Sequence, residues 1–201
     1  HRLGFYNIKT ELEDLWLLHS FPGVYKSIDK RIRESKAKQN AYIRDFIKPI
    51  ERELTNNGFH YERKGRPKSI HSIWMKMKKQ NVEFEEVYDL FAIRIILNSI
   101  GASEKGDCWK AYSIVTDIYK PNPQRLRDWI SSPKPTGYES LHTTVLGPNN
   151  KWVEVQIRTV RMDIVAELGL AAHWKYKEGG VNKVQEEWLG KIREVIEHPE
   201  E

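Results

Sequence analysis

Hydrophobic and polar residues alternate most cleanly in the stretch 152–158, where Val153, Val155 and Ile157 take one side of a predicted strand and Glu154, Gln156 and Arg158 the other. Such a strand buries one face and offers a carboxylate, an amide and a guanidinium on the opposite one. Residues 134–144 (KPTGYESLHTT) begin as a Pro/Gly turn and end in a second strand-like run. Between the two lies Gly147-Pro148-Asn149-Asn150, a turn-forming run that should fold them into an antiparallel pair. The expected result is a polar sheet surface beside a loop carrying Tyr138 and His142.

The rest of the chain supplies helices around further strands. Ile8, Leu12, Leu15, Trp16 and His19 recur at helical spacing until Phe21-Pro22-Gly23 restarts the chain. A second helix is predicted from Tyr25 to Arg33, continuing toward Ala41–Leu54, where Ile43, Phe46, Ile47, Ile50 and Leu54 form one stripe and Pro49 a kink. Asn56-Asn57-Gly58 stops it. A strand is predicted over Phe59–Lys64, and Ile70, Ile73, Trp74 and Met77 mark a helix beyond it. The run from Leu90 to Leu97 is the most continuous apolar stretch and predicts a central strand, with Asp89 at its start. Asp107 is the expected N-cap of a helix burying Cys108, Ala111, Tyr112, Val115 and Tyr119. A long punctuated connection from Pro121 to Gly137 follows. Met162, Val165, Ala166, Gly169, Leu170 and His173 predict a helix close to the sheet, and Val184, Trp188, Leu189, Ile192, Val195 and Ile196 a last one.

At 201 residues, 39% hydrophobic and 30% charged, the chain reads as a soluble globular protein with one sizeable core. No apolar run is long enough to cross a bilayer, nothing resembles a signal peptide, and no membrane partner is expected. The lone Cys108 excludes an internal disulfide and a cysteine-built zinc site; it reads as a core residue, and a reducing cytoplasm is the expected setting. Both ends read as cut from something longer. The net charge of +5 suggests a phosphate or polyanion partner. Lys26, Lys30, Arg31, Arg33, Lys36 and Lys38 make a basic helix, either a solvated face or an RNA-facing or regulatory one.

The candidate chemistry gathers at strand ends. Arg66 and Lys68 sit where a strand passes into a helix, a common anion site, and Lys76 lies two turns beyond Ser69. Arg125, Arg127 and Lys134 fill the long connection. Asp89 and Glu154 stand at strands that could be neighbours. Two acids converging among so many cations suit a divalent ion bound with nucleotide phosphates. A glycosidase-like acid–base pair is disfavoured by those cations, whereas Glu154 pairing with Arg158 on an exposed face stays open. Tyr138 follows Thr136-Gly137 and could present its ring to a base. His142 could donate to a phosphate or bond a carbonyl, while His71 and His173 lack partners at metal-ligand spacing. The phosphate loop of P-loop enzymes and the dinucleotide fingerprint are both missing from the sequence.

Six runs carry a resemblance: GRPKSIHSIW (65–74) with Lys76, YDLFAIR (88–94), RLRD (125–128), GYESLHTT (137–144), EVQIRT (154–159) and AELGLAAHW (166–174). In order and number they resemble the synthetase domain of long RelA/SpoT-type (p)ppGpp synthetases. The resemblance implies an α/β, nucleotidyltransferase-like mixed sheet of about five strands flanked by helices, with an N-terminal helical extension. It implies residues 1–39 as a linker from an upstream hydrolase domain, 40–178 as the synthetase domain, and 179–201 as a helix leading to regulatory domains.

It also implies transfer of the β,γ-pyrophosphoryl group of ATP to the ribose 3′-OH of GTP or GDP, with Mg²⁺ on Asp89 and Glu154. Arg66 would pack on adenine; Lys68, Ser72 and Lys76 would hold ATP phosphates. Tyr138 would stack on guanine, and His142 with Gln156 would fix the acceptor. Arg125, Arg127 and Lys134 would serve the nucleotides from the charged loop. Ribosome and tRNA contacts would belong to regions beyond this stretch, and the sequence sets no oligomeric state. Arg125-Leu126-Arg127-Asp128 keeps the basic sign of the bifunctional branch, although that branch carries Lys where Arg127 stands. Thr136 replaces a frequent Asn. A nucleotidyltransferase, or an RNA-binding module without catalysis, are the alternatives.

Overall fold

The computed structural model describes residues 6–84, 87 and 91–168. Its centre is a five-stranded mixed sheet of β1 (Tyr61–Pro67), β2 (Phe91–Leu97), β3 (Arg127–Asp128), β4 (Leu141–Leu146) and β5 (Trp152–Thr159). The strand order is β1-β2-β5-β4-β3. β2 and β5 run parallel, and every other pairing is antiparallel. The helices are α1 (Tyr6–Ser20), α2 (Pro22–Asn56), α3 (Ile70–Gln80), α4 (Glu104–Ile118) and α5 (Val160–Leu168). This is the mixed α/β, nucleotidyltransferase-like architecture expected of the chain.

The sheet has two chemically distinct faces because strand side chains alternate. Ile93, Ile95, Leu97, Leu141, Val145, Val153, Val155 and Ile157 are all buried in one cluster with Phe46, Ile47, Ile50 and Leu54 of α2 and Cys108, Ala111 and Val115 of α4. The opposite face carries a register row of polar residues running the width of the sheet. Lys64 lies opposite Arg94, Arg94 opposite Gln156, Gln156 opposite His142, and His142 opposite Arg127.

α2 unites the two expected helical segments in 35 residues, with Pro49 inside it. Pro22 occupies its first turn, where a missing N–H costs no intrahelical bond. The Gly147–Asn150 turn joins β4 to β5 as expected, with Asn149 and Asn150 at positive φ. Cys108 is buried, and burial pushes its thiol up to about 12. No described helix is long and apolar enough to cross a membrane.

Several expectations are corrected. α1 does not bury the predicted stripe: Leu12, Leu15 and Trp16 are exposed, and Leu17 instead enters a second cluster with Ile28, Ile70, Ile73, Trp74 and Phe84. Packing against α2 and α3 buries Leu17, while Trp16, still about half exposed, lays its ring against His71 and Trp74 of α3. α4 starts at Glu104, so Asp107 sits in its first turn rather than at the N-cap. β1 extends through Gly65-Arg66-Pro67, placing Arg66 in the strand. The long connection contains a two-residue edge strand, because Arg127 and Asp128 pair with His142 and Leu141. Arg158 is buried, not offered to solvent, and pairs with Asp163 rather than Glu154. Gly169, Leu170, His173 and the helix predicted from Val184 lie outside the described residues.

A Cβ at Gly147 would stand 2.6 Å from the Tyr42 hydroxyl and 2.8 Å from Phe46 Cδ2. Tyr42 donates to the Pro148 carbonyl at 3.0 Å, and Phe46 stacks on Tyr119, so neither yields freely. Gly147→Ala is expected to cost about 1–3 kcal/mol, read as a lower urea midpoint at unchanged slope.

Candidate functional site

The polar face gains its site-like character where β4 and β5 meet. Glu154 points to this face because its neighbours Val153 and Val155 are committed to the core. Its Oε1 accepts from Gln156 Nε2 at 2.7 Å and lies 3.7 Å from His142 Nδ1. The other ring nitrogen of His142, Nε2, shares a hydrogen bond of 2.8 Å with the Tyr138 hydroxyl. Gln156, Glu154, His142 and Tyr138 therefore form one connected line. The ring of Tyr138 stands nearly edge-on to His142, at 75° and 6.0 Å between centroids. Contrary to expectation the ring is half-buried, held through its hydroxyl.

The turn before Tyr138 depends on Gly137, which is buried at φ +74, a region an L side chain rarely adopts. Its N–H donates to Lys134 O at 2.8 Å, and Lys134 N–H donates to Tyr138 O at 3.1 Å. The Lys134 ammonium sits over the Trp129 ring at 4.4 Å and faces the Tyr138 ring at 5.2 Å. Arg127 is exposed on the edge strand, its Nη1 donating to the Gln124 and Leu126 carbonyls at 2.9 and 3.0 Å. Arg125 is exposed in the short turn ahead of it.

A second group lies at the junction of β1 and α3. Arg66 is opposite Ala92, which is opposite Glu154, so the three backbones share one register row. Ser69 caps α3, accepting from Ser72 N–H at 3.2 Å, and its hydroxyl donates to Ser72 Oγ at 2.8 Å. Lys68 and Ser72 are partly buried there, with Lys76 farther along the same helix. Asp89 lies outside the described residues, two positions before β2 begins. The parallel pairing of β2 and β5 sets Ala92 beside Glu154.

Sequence reasoning missed the partly buried ion cluster that α5 forms with this face. Asp163 of α5 pairs with three cations from three strands: Lys64 Nζ at 3.2 Å, Arg94 Nη1 at 3.1 Å and Arg158 Nε at 2.9 Å. Glu167 adds contacts to Arg94 at 2.9 Å and Arg158 at 3.7 Å. Both arginines are almost wholly buried; Arg158 Nε meets Asp163 as an ion pair without hydrogen-bond alignment, and Arg94 Nε and the Nη2 of each arginine have no hydrogen-bond partner among the described residues. Buried charges of this kind are tolerated only when paired. The signal available was the Asp163/Glu167 spacing of four on a helix directly following Arg158.

These cations set the electrostatics of the site. Burial first, then Arg158, Lys134, Arg94 and Arg127, hold His142 down to about 4, outweighing Glu154 at 3.7 Å. A neutral imidazole in a cationic surround suits an anionic ligand. Among the described residues no group of three or more His, Cys, Asp or Glu could hold a metal ion. Glu154 is nevertheless a hard oxygen donor with a side chain still 22% exposed, the chemistry a magnesium ion prefers.

Residues 65–181 match the family described as "Region found in RelA / SpoT proteins". The chain belongs to the RelA/SpoT family. It is 42% identical over 205 aligned residues to the GTP pyrophosphokinase of Escherichia coli K12, covering all of this chain and 27% of that relative. It is 44% identical over 181 residues to a protein of Synechocystis named probable guanosine-3′,5′-bis(diphosphate) 3′-pyrophosphohydrolase, covering 90% of this chain and 23% of that one. The chain thus spans about a quarter of these relatives' length. Among solved structures, small alarmone synthetase 2 of Bacillus subtilis aligns with TM-score 0.53 at 25% identity, covering 85% of this chain and 92% of that one. Every candidate site residue falls within the matched RelA/SpoT region, whereas α1 and α2 precede it.

Because His142 is held neutral when folded, an unfolded chain binds its proton first as pH falls. Stability from this group is present above about 6.5 and is lost as pH drops toward about 4. NMR titration should find the His142 imidazole unprotonated at pH 5.5; a midpoint near 6.5 would contradict the cationic-pocket argument.

Proposed function

We propose that this domain transfers the β,γ-pyrophosphoryl group of ATP to the ribose 3′-OH of GDP or GTP, releasing AMP. The observation that carries the reading is the connected line Gln156–Glu154–His142–Tyr138 on a cation-rich sheet face, within a region matching RelA/SpoT proteins. The names of the relatives support it: a GTP pyrophosphokinase in Escherichia coli and a small alarmone synthetase in Bacillus subtilis.

In this reading Tyr138 stacks on guanine, while His142 and Gln156 hold the acceptor nucleotide beside Glu154. Lys68, Ser72 and Lys76 grip the ATP phosphates at the start of α3, and Arg66 packs on adenine. Arg125, Arg127 and Lys134 flank the nucleotides from the loop side. Asp89 and Glu154 would hold a magnesium ion, which when bound supplies charge neutralisation at the phosphates. Glu154 also helps orient and deprotonate the 3′-OH. The 3′ oxygen then forms its bond to the β-phosphorus as the bond from that phosphorus to the α–β bridging oxygen breaks, and AMP leaves. The work is mostly positioning and electrostatic stabilisation of the transferring group. The buried Arg94 and Arg158 add positive potential behind it.

Residues 40–178 form the synthetase unit in this proposal, residues 1–39 a helical connection from a hydrolase domain, and 179–201 a lead into regulatory regions that meet ribosome and tRNA. The basic Arg127 favours the bifunctional branch, with an arginine fork in place of a lysine point charge. A cytoplasmic setting follows from such substrates.

Incubation with ATP, GDP and Mg²⁺ should yield AMP and a 3′-pyrophosphorylated guanosine nucleotide on chromatography. Release of inorganic pyrophosphate instead would indicate nucleotidyl transfer. Glu154→Gln should reduce turnover by roughly 10²-fold or more without changing the melting temperature beyond a few degrees; near-normal turnover would remove Glu154 from the chemistry.

A further inference from the structure

A second charged network lies on the other side of the Tyr138 loop. Glu104, in the first turn of α4, is buried, where the helix N-terminus favours its negative charge. It accepts from the Thr159 hydroxyl at 2.8 Å and from Arg161 Nε at 2.8 Å. Arg161, in the first turn of α5, uses a separate donor, Nη1, to bond Glu139 at 2.5 Å. One rigid guanidinium thus joins α4 to the residue immediately after Tyr138. Glu139 reaches toward α4 and α5, whereas Tyr138 reaches His142 on the polar face. The next residue, Ser140, is buried and donates to the Ile157 carbonyl at 3.3 Å. The loop is therefore pinned on its far side at the point where the ring is aimed.

We propose that Arg161 is a positioning residue for the acceptor nucleotide: by bridging Glu104 to Glu139 it holds the Tyr138 loop in the orientation that receives the guanine base. This rests on the reading of Tyr138 as the guanine platform. Among the described residues Arg161 bonds Glu104 and Glu139, which belong neither to the Lys68, Ser72 and Lys76 group nor to the Glu154 line, so its effect should fall on one substrate. Glu104, already fixed by the helix end and Thr159, is the anchor. Glu139 is the arm that moves when the bridge is cut.

The test is steady-state kinetics on the full chain, varying GDP at saturating ATP and then the reverse, for Arg161→Lys, Glu139→Gln, the double variant and Tyr138→Ala. Lysine cannot span two carboxylates from two fixed donors, so Arg161→Lys and Glu139→Gln should each raise the KM for GDP about tenfold. The KM for ATP should stay within about twofold, and the double variant should be no worse than either single one. Equal rises in both KM values, or additive effects, would make the bridge a general structural brace and overturn the proposal. Tyr138→Ala separates the layers. If it raises the GDP KM while Glu139→Gln and Arg161→Lys do not, the platform stands and the bridge proposal alone fails; if it leaves that KM unchanged, both fall. Should Arg161→Lys fold poorly, Glu139→Gln, a near-isosteric change at a partly exposed carboxylate, carries the measurement.

Discussion

The parallel pairing of β2 with β5 is the constraint on which the rest depends. Parallel neighbours need a long crossover, and here the chain between them passes through α4, β3 and β4 before returning. That detour brings the Tyr138 loop and His142 against one side of β5 while β1 and α3 stand on the far side of β2. The register is fixed by burial. Sliding β5 by one residue would turn Val153, Val155 and Ile157 to the polar face and force Glu154 and Gln156 into the core. The position of Glu154 is therefore set by the hydrophobic effect acting on its neighbours.

The polar face is not simply a wet surface. Lys64, Arg94 and Arg158 meet Asp163 and Glu167, so three cations face two acids in a largely buried cluster. Such a cluster is tolerated because each member is paired, and breaking one partner typically costs about 3–5 kcal/mol. Burial, reinforced by the positive charge of Arg158 and Arg94, explains why His142 stays neutral beside a carboxylate. Stability and ligand chemistry are linked here: the groups that hold α5 onto the sheet also make the face attractive to phosphates.

Much of this was legible in the sequence because it rests on local pattern. The period of two in β5, the Gly147–Asn150 turn and the stripe from Phe46 to Leu54 each announce their element. The candidate residues Glu154, Gln156, His142 and Tyr138 were legible for the same reason, as polar residues on strand positions or after a glycine turn. What was hidden depends on long-range pairing. Arg158 reads as an exposed partner for Glu154 until α5 folds back over it. Arg161, Glu139 and Glu104 are dispersed over three elements, and no spacing announces their bridge. Leu17 displaced the expected α1 stripe because contact with α2 and α3, not helical period, decides which side is buried.

The central claim is that Glu154 on β5 and Asp89 ahead of β2 share one divalent ion over a bound triphosphate. Manganese titration followed by electron paramagnetic resonance, with a non-hydrolysable ATP analogue present, addresses it most directly. The account predicts that wild-type protein sequesters the manganese–nucleotide complex and that Glu154→Gln and Asp89→Asn each weaken this by more than about tenfold, a loss of at least ~1.4 kcal/mol. Unchanged manganese affinity in either variant would contradict it.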